Sequence, residues 1–160
     1  VQAIHEVYGW VKATRKGLLD YCATLPPEVF TAEREDMGWG SIRNALVHNA
    51  STYLFWLAGT VLGRDVPGFK FSEFHDVETV ARLFSGRVDP LVEEFAAAFG
   101  GGDRLAAPLS LKVRWQEGPL VVSPLWVFTH VVTHEFHHKG QIVAFGRIHG
   151  YPPPETDLAV

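Results

Sequence analysis

His134, Glu135, Phe136, His137 and His138 put three imidazoles and a carboxylate into one short segment. On an α-helix, residues four apart share a face, one turn apart. His134 and His138 can therefore offer their rings to a single ion. Neutral imidazole is the commonest protein ligand for late transition metals, and an ion held there would act as a Lewis acid. The stripe Val127, Val131, His134, His138, Ile142 and Phe145 is apolar apart from the two histidines, which directs it toward a core. Burying an unpaired polar group costs roughly 1–3 kcal/mol. The two imidazoles thus need a shared cation, or hydrogen bonds to Thr or Asn on facing helices.

Other pairs in the segment compete. His130 with His134, and His134 with His137, are also spaced for joint ligation. His130 and His138 lie about 12 Å apart along the axis, too far for one ion. The apolar stripe favours His134 with His138 and leaves His130 and His137 hydrogen-bonded or exposed. Two ligands bind weakly, so a third is expected from another helix. His48, on a stripe with Ala45, Thr52 and Phe55, is the best candidate; His5, His75, Glu35 and Asp36 are the others. Three protein ligands leave one coordination position open, as in catalytic rather than structural zinc sites.

The segment also spells H-E-x-x-H, with Glu135 where a zincin protease carries its general base. A protease needs a cleft beneath a sheet and a further downstream ligand, and only His149 and Glu155 follow. Glu135 is accordingly read as a solvated helix residue, with a role beside the metal or as a base as the alternative.

Four helices must position these groups. Ile4 to Leu25 carries apolar residues at helical spacing and stops at Pro26-Pro27. Residues 28–40 read as a polar connector containing Trp39. Ser41 caps a second helix, Ile42 to Leu62, which ends at Gly63. A long aromatic-containing loop follows. Asp76 caps a third helix, Val77 to Phe99, which Pro90 should kink or split at Val88-Asp89, with Asp89 capping the second half. Leu109 to Trp115 and Leu120 to Val122 allow a small β-hairpin. Ser123-Pro124 starts the fourth helix, with Ser as cap and Pro in the first helical position. It closes at Gly150, before a stiff Pro152-Pro153-Pro154 tail. The fold class is therefore all-α, one four-helix bundle domain over residues 1–160.

Composition narrows the partners. The chain has 160 residues, 47% hydrophobic and 20% charged, which suits a globular domain. A net charge of −4 leaves no basic footprint for nucleic acid. The apolar stretch Leu54 to Leu62 is too short to span a bilayer. No signal-peptide pattern opens the chain, and Cys22 is the sole cysteine, so a cytoplasmic setting is expected. Cys22 itself is read as a small buried hydrophobe. Trp10, Trp39, Trp56, Trp115 and Trp126 are read as mostly core, with one at a pocket mouth. Lys139 and Arg147 are read as solvated charges that, near an open metal, could steer an anionic substrate.

Three pieces of the chain resemble the DinB/YfiT-like family of metal-dependent enzymes. The first is Ser41-Ile42-Arg43-Asn44-Ala45-Leu46-Val47-His48, preceded by Trp39. The second is His134 through Ile142, similar to the family's H-x-x-x-H-[RK]-G-Q-[IL] signature. The third is the tail from Gly150 to Leu158. The resemblance implies an up-down-down-up bundle, often a homodimer, with a divalent metal, zinc or nickel, held by His48, His134 and His138. It also implies a low-molecular-weight thiol as cofactor in members with assigned chemistry. The expected function is attack on an electrophilic small molecule by a metal-activated thiol or water, in a transferase or hydrolase. The alternative is a non-catalytic bundle with a structural or sensing ion. A hairpin at 109–122 departs from the leanest members, so no thiol-binding residue is carried over.

Overall fold

In a computed structural model that describes residues 2–158, four helical rods surround one hydrophobic core, with a two-stranded hairpin ahead of the last rod. The outermost residues of the expected 1–160 span, residue 1 and residues 159–160, lie outside the described residues. No helix among the described residues is long and apolar enough to cross a membrane.

Helix α1, Gln2–Ala23, buries Ile4, Tyr8, Val11, Arg15, Leu18, Tyr21 and Cys22, a single helical stripe. It ends short of Leu25 because the residue before a proline is pushed out of the helical region. Pro27 then opens a five-residue helix, α2, Pro27–Thr31, that inserts Phe30 into the core. The connector expected at 28–40 is thus partly helical, since a proline at the first position presets φ for a helix.

Helix α3, Ile42–Tyr53, starts as expected: Ser41 Oγ accepts from the Asn44 N–H at 3.1 Å. The same rod continues to Val61 as a π-helix, Leu54–Val61, and Gly63 takes φ 68° beyond it. Asp76 caps α4, Val77–Leu83, through a reciprocal capping box with Thr79.

Pro90 does not split the third rod. A π segment, Phe84–Val88, precedes α5, Asp89–Phe99, and the Asp89 N–H reaches back to the Phe84 carbonyl. This wider turn lies where the proline ring would meet the preceding carbonyls of a regular helix, which explains the continuous path. Asp89 is not a cap; its backbone is helical and its carboxylate faces Arg15 and Tyr8.

Strands β1, Leu109–Leu111, and β2, Leu120–Val122, pair antiparallel with Leu109 opposite Val122. The strand expected to reach Trp115 stops at Leu111, and Arg114 and Trp115 project from the connecting loop.

Helix α6, Pro124–Ile148, is capped by Ser123, whose Oγ accepts from the Trp126 N–H at 3.1 Å. It ends in a Schellman turn. Gly150 has φ 84°, and the Tyr151 N–H donates to the Gly146 carbonyl at 2.7 Å. The tail is tied down twice more: Tyr21 Oη donates to the Tyr151 carbonyl at 2.5 Å, and Lys139 donates to the Thr156 carbonyl. Lys139, expected in solvent, is 8% exposed and lies along the Phe136 ring. A Cβ on Gly146 would sit 1.9 Å from Tyr21 Oη and 2.7 Å from the Tyr151 carbonyl oxygen. Gly146→Ala is therefore expected to destabilise the fold by about 1–3 kcal/mol, by overpacking. Denaturant unfolding within a few tenths of wild type would refute that.

Candidate metal centre

The core-facing stripe of α6 carries His134 and His138 toward α3, where His48 meets them. His134 Nε2 lies 2.9 Å from His48 Nε2 and 3.1 Å from His138 Nε2. One ligand nitrogen from each residue falls within 4.8 Å of the others. Among the described residues no further His, Cys, Asp or Glu joins this cluster. The other third-ligand candidates are engaged elsewhere or exposed. His5 pairs with Glu93, Asp36 pairs with Arg34 and His149, His75 lines a separate cavity beside Cys22, and Glu35 is exposed.

Hydrogen-bond accounting favours a cation here. Each imidazole Nε2 has one in-plane site, holding either a proton or a lone pair. His134 Nε2 has two nitrogen neighbours at hydrogen-bond distance, and one site cannot serve both. His138 Nδ1 donates to Gln141 Oε1 at 2.7 Å, so in a neutral ring its Nε2 presents a lone pair to the cluster. Gln141 in turn donates from Nε2 to His137 Nε2 at 3.1 Å. A carbonyl fixing the far nitrogen of a ligand imidazole is the usual support of metal-binding histidines. His137 thus accepts from Gln141 and is exposed, and His130 stacks on Trp126 with ring centroids 5.2 Å apart.

Burial keeps the rings neutral. Desolvation, then the neighbouring His134 and His138, push His48 down to about 4. Desolvation, then His138, His130 and His137, bring His134 to about 4 as well. Desolvation lowers His138 too, partly opposed by Gln141. Free imidazole titrates near 6.5. Between that pH and about 4 the unfolded chain binds protons that the folded chain refuses, so stability is full above the window and falls on acidification through it. Chelator-treated protein is expected to lose melting temperature steadily from pH 7 to pH 5. A His48→Ala, His134→Ala double variant should lose less, and equal slopes would contradict this assignment.

Trp39 covers the other side of His48. Its indole stacks on the imidazole with centroids 3.7 Å apart and planes at 19°. Trp39 holds a left-handed backbone, φ 65°, unusual for a bulky residue. Asn44 Nδ2 donates to its carbonyl at 3.0 Å and secures that turn. Gly38 lets the loop press on α6: a Cβ there would meet Gln141 Oε1 at 2.8 Å.

Beside the nitrogens a cavity of about 520 Å³ opens, reached by His48 and His134 and walled by Trp39, Phe55, Trp56 and Trp115. The tryptophans are not mostly core. Trp56 is buried, whereas Trp10, Trp39, Trp115 and Trp126 are 42–54% exposed. Three of the five line the cavity, where an open face replaces core packing.

Glu135 is neither solvated nor a base. It is 5% exposed and points away from the histidines into the bundle, where Arg15 clasps it through Nε at 2.7 Å and Nη2 at 2.9 Å. Tyr53 Oη donates to it at 2.7 Å. Desolvation, then the carboxylate, raise the Tyr53 hydroxyl well above its ordinary range, so it remains a donor. Arg15 also bonds Asp89 at 2.9 Å, and Tyr8 donates to Asp89 at 2.7 Å. The zincin reading fails on this geometry. A signal was present in the sequence: Arg15 interrupts the apolar stripe of α1 as Glu135 interrupts that of Phe128, Val131 and Ile142.

The helical bundle converges three histidines from two helices beside an aromatic cavity, a cluster that could hold a metal ion. The sequence profile of the DinB family matches residues 1–160, and the chain belongs to that family. No curated protein matches the chain.

Proposed function

We propose that His48, His134 and His138 hold one divalent cation, zinc or nickel, and that the chain is a metal-dependent transferase or hydrolase acting on an electrophilic small molecule. The convergence of three imidazole nitrogens from two helices, where the single Nε2 site of His134 cannot make a linear hydrogen bond to both neighbours, carries this reading. When bound, such a cation supplies a Lewis acid that lowers the pKa of a coordinated water or thiol. The protein's own groups do the rest. Gln141 orients His138, Trp39 stacks on the His48 ring, and the aromatic walls give the substrate side an apolar lining. A closed structural site would require a fourth side chain; the ligand cluster holds three, and the cavity adjoins it. A low-molecular-weight thiol as co-substrate, a homodimer and a cytoplasmic setting belong to the same reading.

The test is turnover by zinc- or nickel-loaded protein with simple thiols and an activated aryl halide, and with an activated ester. Metal-dependent rates lost in His48→Ala, His134→Ala and His138→Ala support it. Stoichiometric metal with no turnover of either substrate class would leave a structural or sensing ion.

A further inference from the structure

We infer that the cavity beside the histidines binds a planar apolar molecule carrying one carboxylate, with Arg114 as its anion anchor; this rests on the reading of His48 and His134 as the reacting end of the cavity. The walls provide the first argument. Phe55, Trp56 and Trp115 form a cluster with ring centroids 5.6–6.2 Å apart, yet Trp115 is 54% exposed and Phe55 36%. Exposed aromatic faces gathered at a concavity mark a binding surface. A flat ring stacks on them at little entropic cost.

Charge provides the second. No carboxylate lines the cavity, and Arg114 is its one fully charged side chain. Arg114 makes no ion pair or hydrogen bond with any described residue. The cavity's hydroxyls cannot replace it as donors: Ser51 Oγ donates to the Val47 carbonyl at 2.8 Å and Thr52 Oγ1 to the His48 carbonyl at 3.0 Å. An entering anion therefore finds one unengaged guanidinium, whose planar fork matches a carboxylate.

Topology provides the third. Arg114 and Trp115 are neighbours on the loop between β1 and β2, so the hairpin delivers both the cation and one aromatic wall to the same rim. The molecule would lie with its ring against the exposed faces of Phe55 and Trp115, its carboxylate at Arg114 and its other end toward His48 and His134.

Calorimetric titration of the zinc-loaded chain with 2-naphthoate and its neutral analogue 2-naphthamide tests this. Wild type is expected to bind the carboxylate about tenfold more tightly. Arg114→Gln, at an exposed position, should erase that preference while leaving the amide affinity and the metal content unchanged, and Trp115→Ala should weaken both probes. The preference should survive removal of zinc by chelator. A wild type that binds neither probe or does not distinguish them, a preference retained in Arg114→Gln, or one that vanishes with the metal would overturn the inference. Should wild type hold no metal and still show the Arg114-dependent preference, the metal reading fails and this one stands.

Discussion

Arg15→Met is expected to destabilise the protein by about 3–5 kcal/mol, the range found when one partner of a buried ion pair is removed. The reason lies in what remains. Glu135 would keep a single donor, Tyr53, in a site from which water is excluded, and Asp89 would keep only Tyr8. Arg15 also packs over the Phe84 ring at 4.2 Å, a contact the methionine stem largely restores, so the loss reports charge rather than volume. The second substitution decides the mechanism: Arg15→Met with Glu135→Leu should be much less destabilised than the sum of the two single variants. Urea unfolding of all four proteins measures this. Arg15→Met within about 1 kcal/mol of wild type, or additive losses, would contradict the account.

This network matters for the site because of where its members sit. Glu135 follows His134 directly on α6, and Tyr53 lies on the same helix as His48. Arg15 and Asp89 add α1 and α5. One charge cluster thus fixes the register of the helices that bring the imidazoles together. A buried polar network holding a bundle in register is a use for which such groups are retained.

The second large effect concerns His134, whose Nε2 touches both other ligand nitrogens. Zinc at about a thousand times its dissociation constant should stabilise wild type by about 4 kcal/mol. For a domain of this size that raises the melting temperature by roughly 10 °C. His134→Ala is expected to abolish the zinc-induced rise, because the two remaining imidazoles sit on different helices and bind weakly. The unliganded variant should still melt cooperatively, since the half-buried His134 costs desolvation in the metal-free fold. A full zinc response in His134→Ala would exclude this residue as a ligand.

Local signals were legible in the sequence and long-range ones only in part. Ser41, Asp76 and Ser123 announce their helices because a cap acts within three residues. The histidine stripe on α6 reads directly from helical spacing, and His48 came from the demand for a third ligand. The π segments at Leu54–Val61 and Phe84–Val88 leave the apolar pattern nearly unchanged, so helical periodicity passes over them. Glu135 was misread because its partner is 120 positions away. Lys139 was misread because its acceptor is a backbone carbonyl in the tail. The tryptophans were misread for a functional reason: hydrophobicity alone places Trp39 and Trp115 inside, whereas they rim a cavity.

The most direct measurement is zinc-edge X-ray absorption on the reconstituted protein. One equivalent of zinc bound by three imidazole nitrogens at about 2.0–2.1 Å in wild type, with that three-imidazole zinc signal lost in each of His48→Ala, His134→Ala and His138→Ala, is the predicted result. An ion with fewer than three histidine ligands in wild type, or a spectrum unchanged by these substitutions, would contradict it.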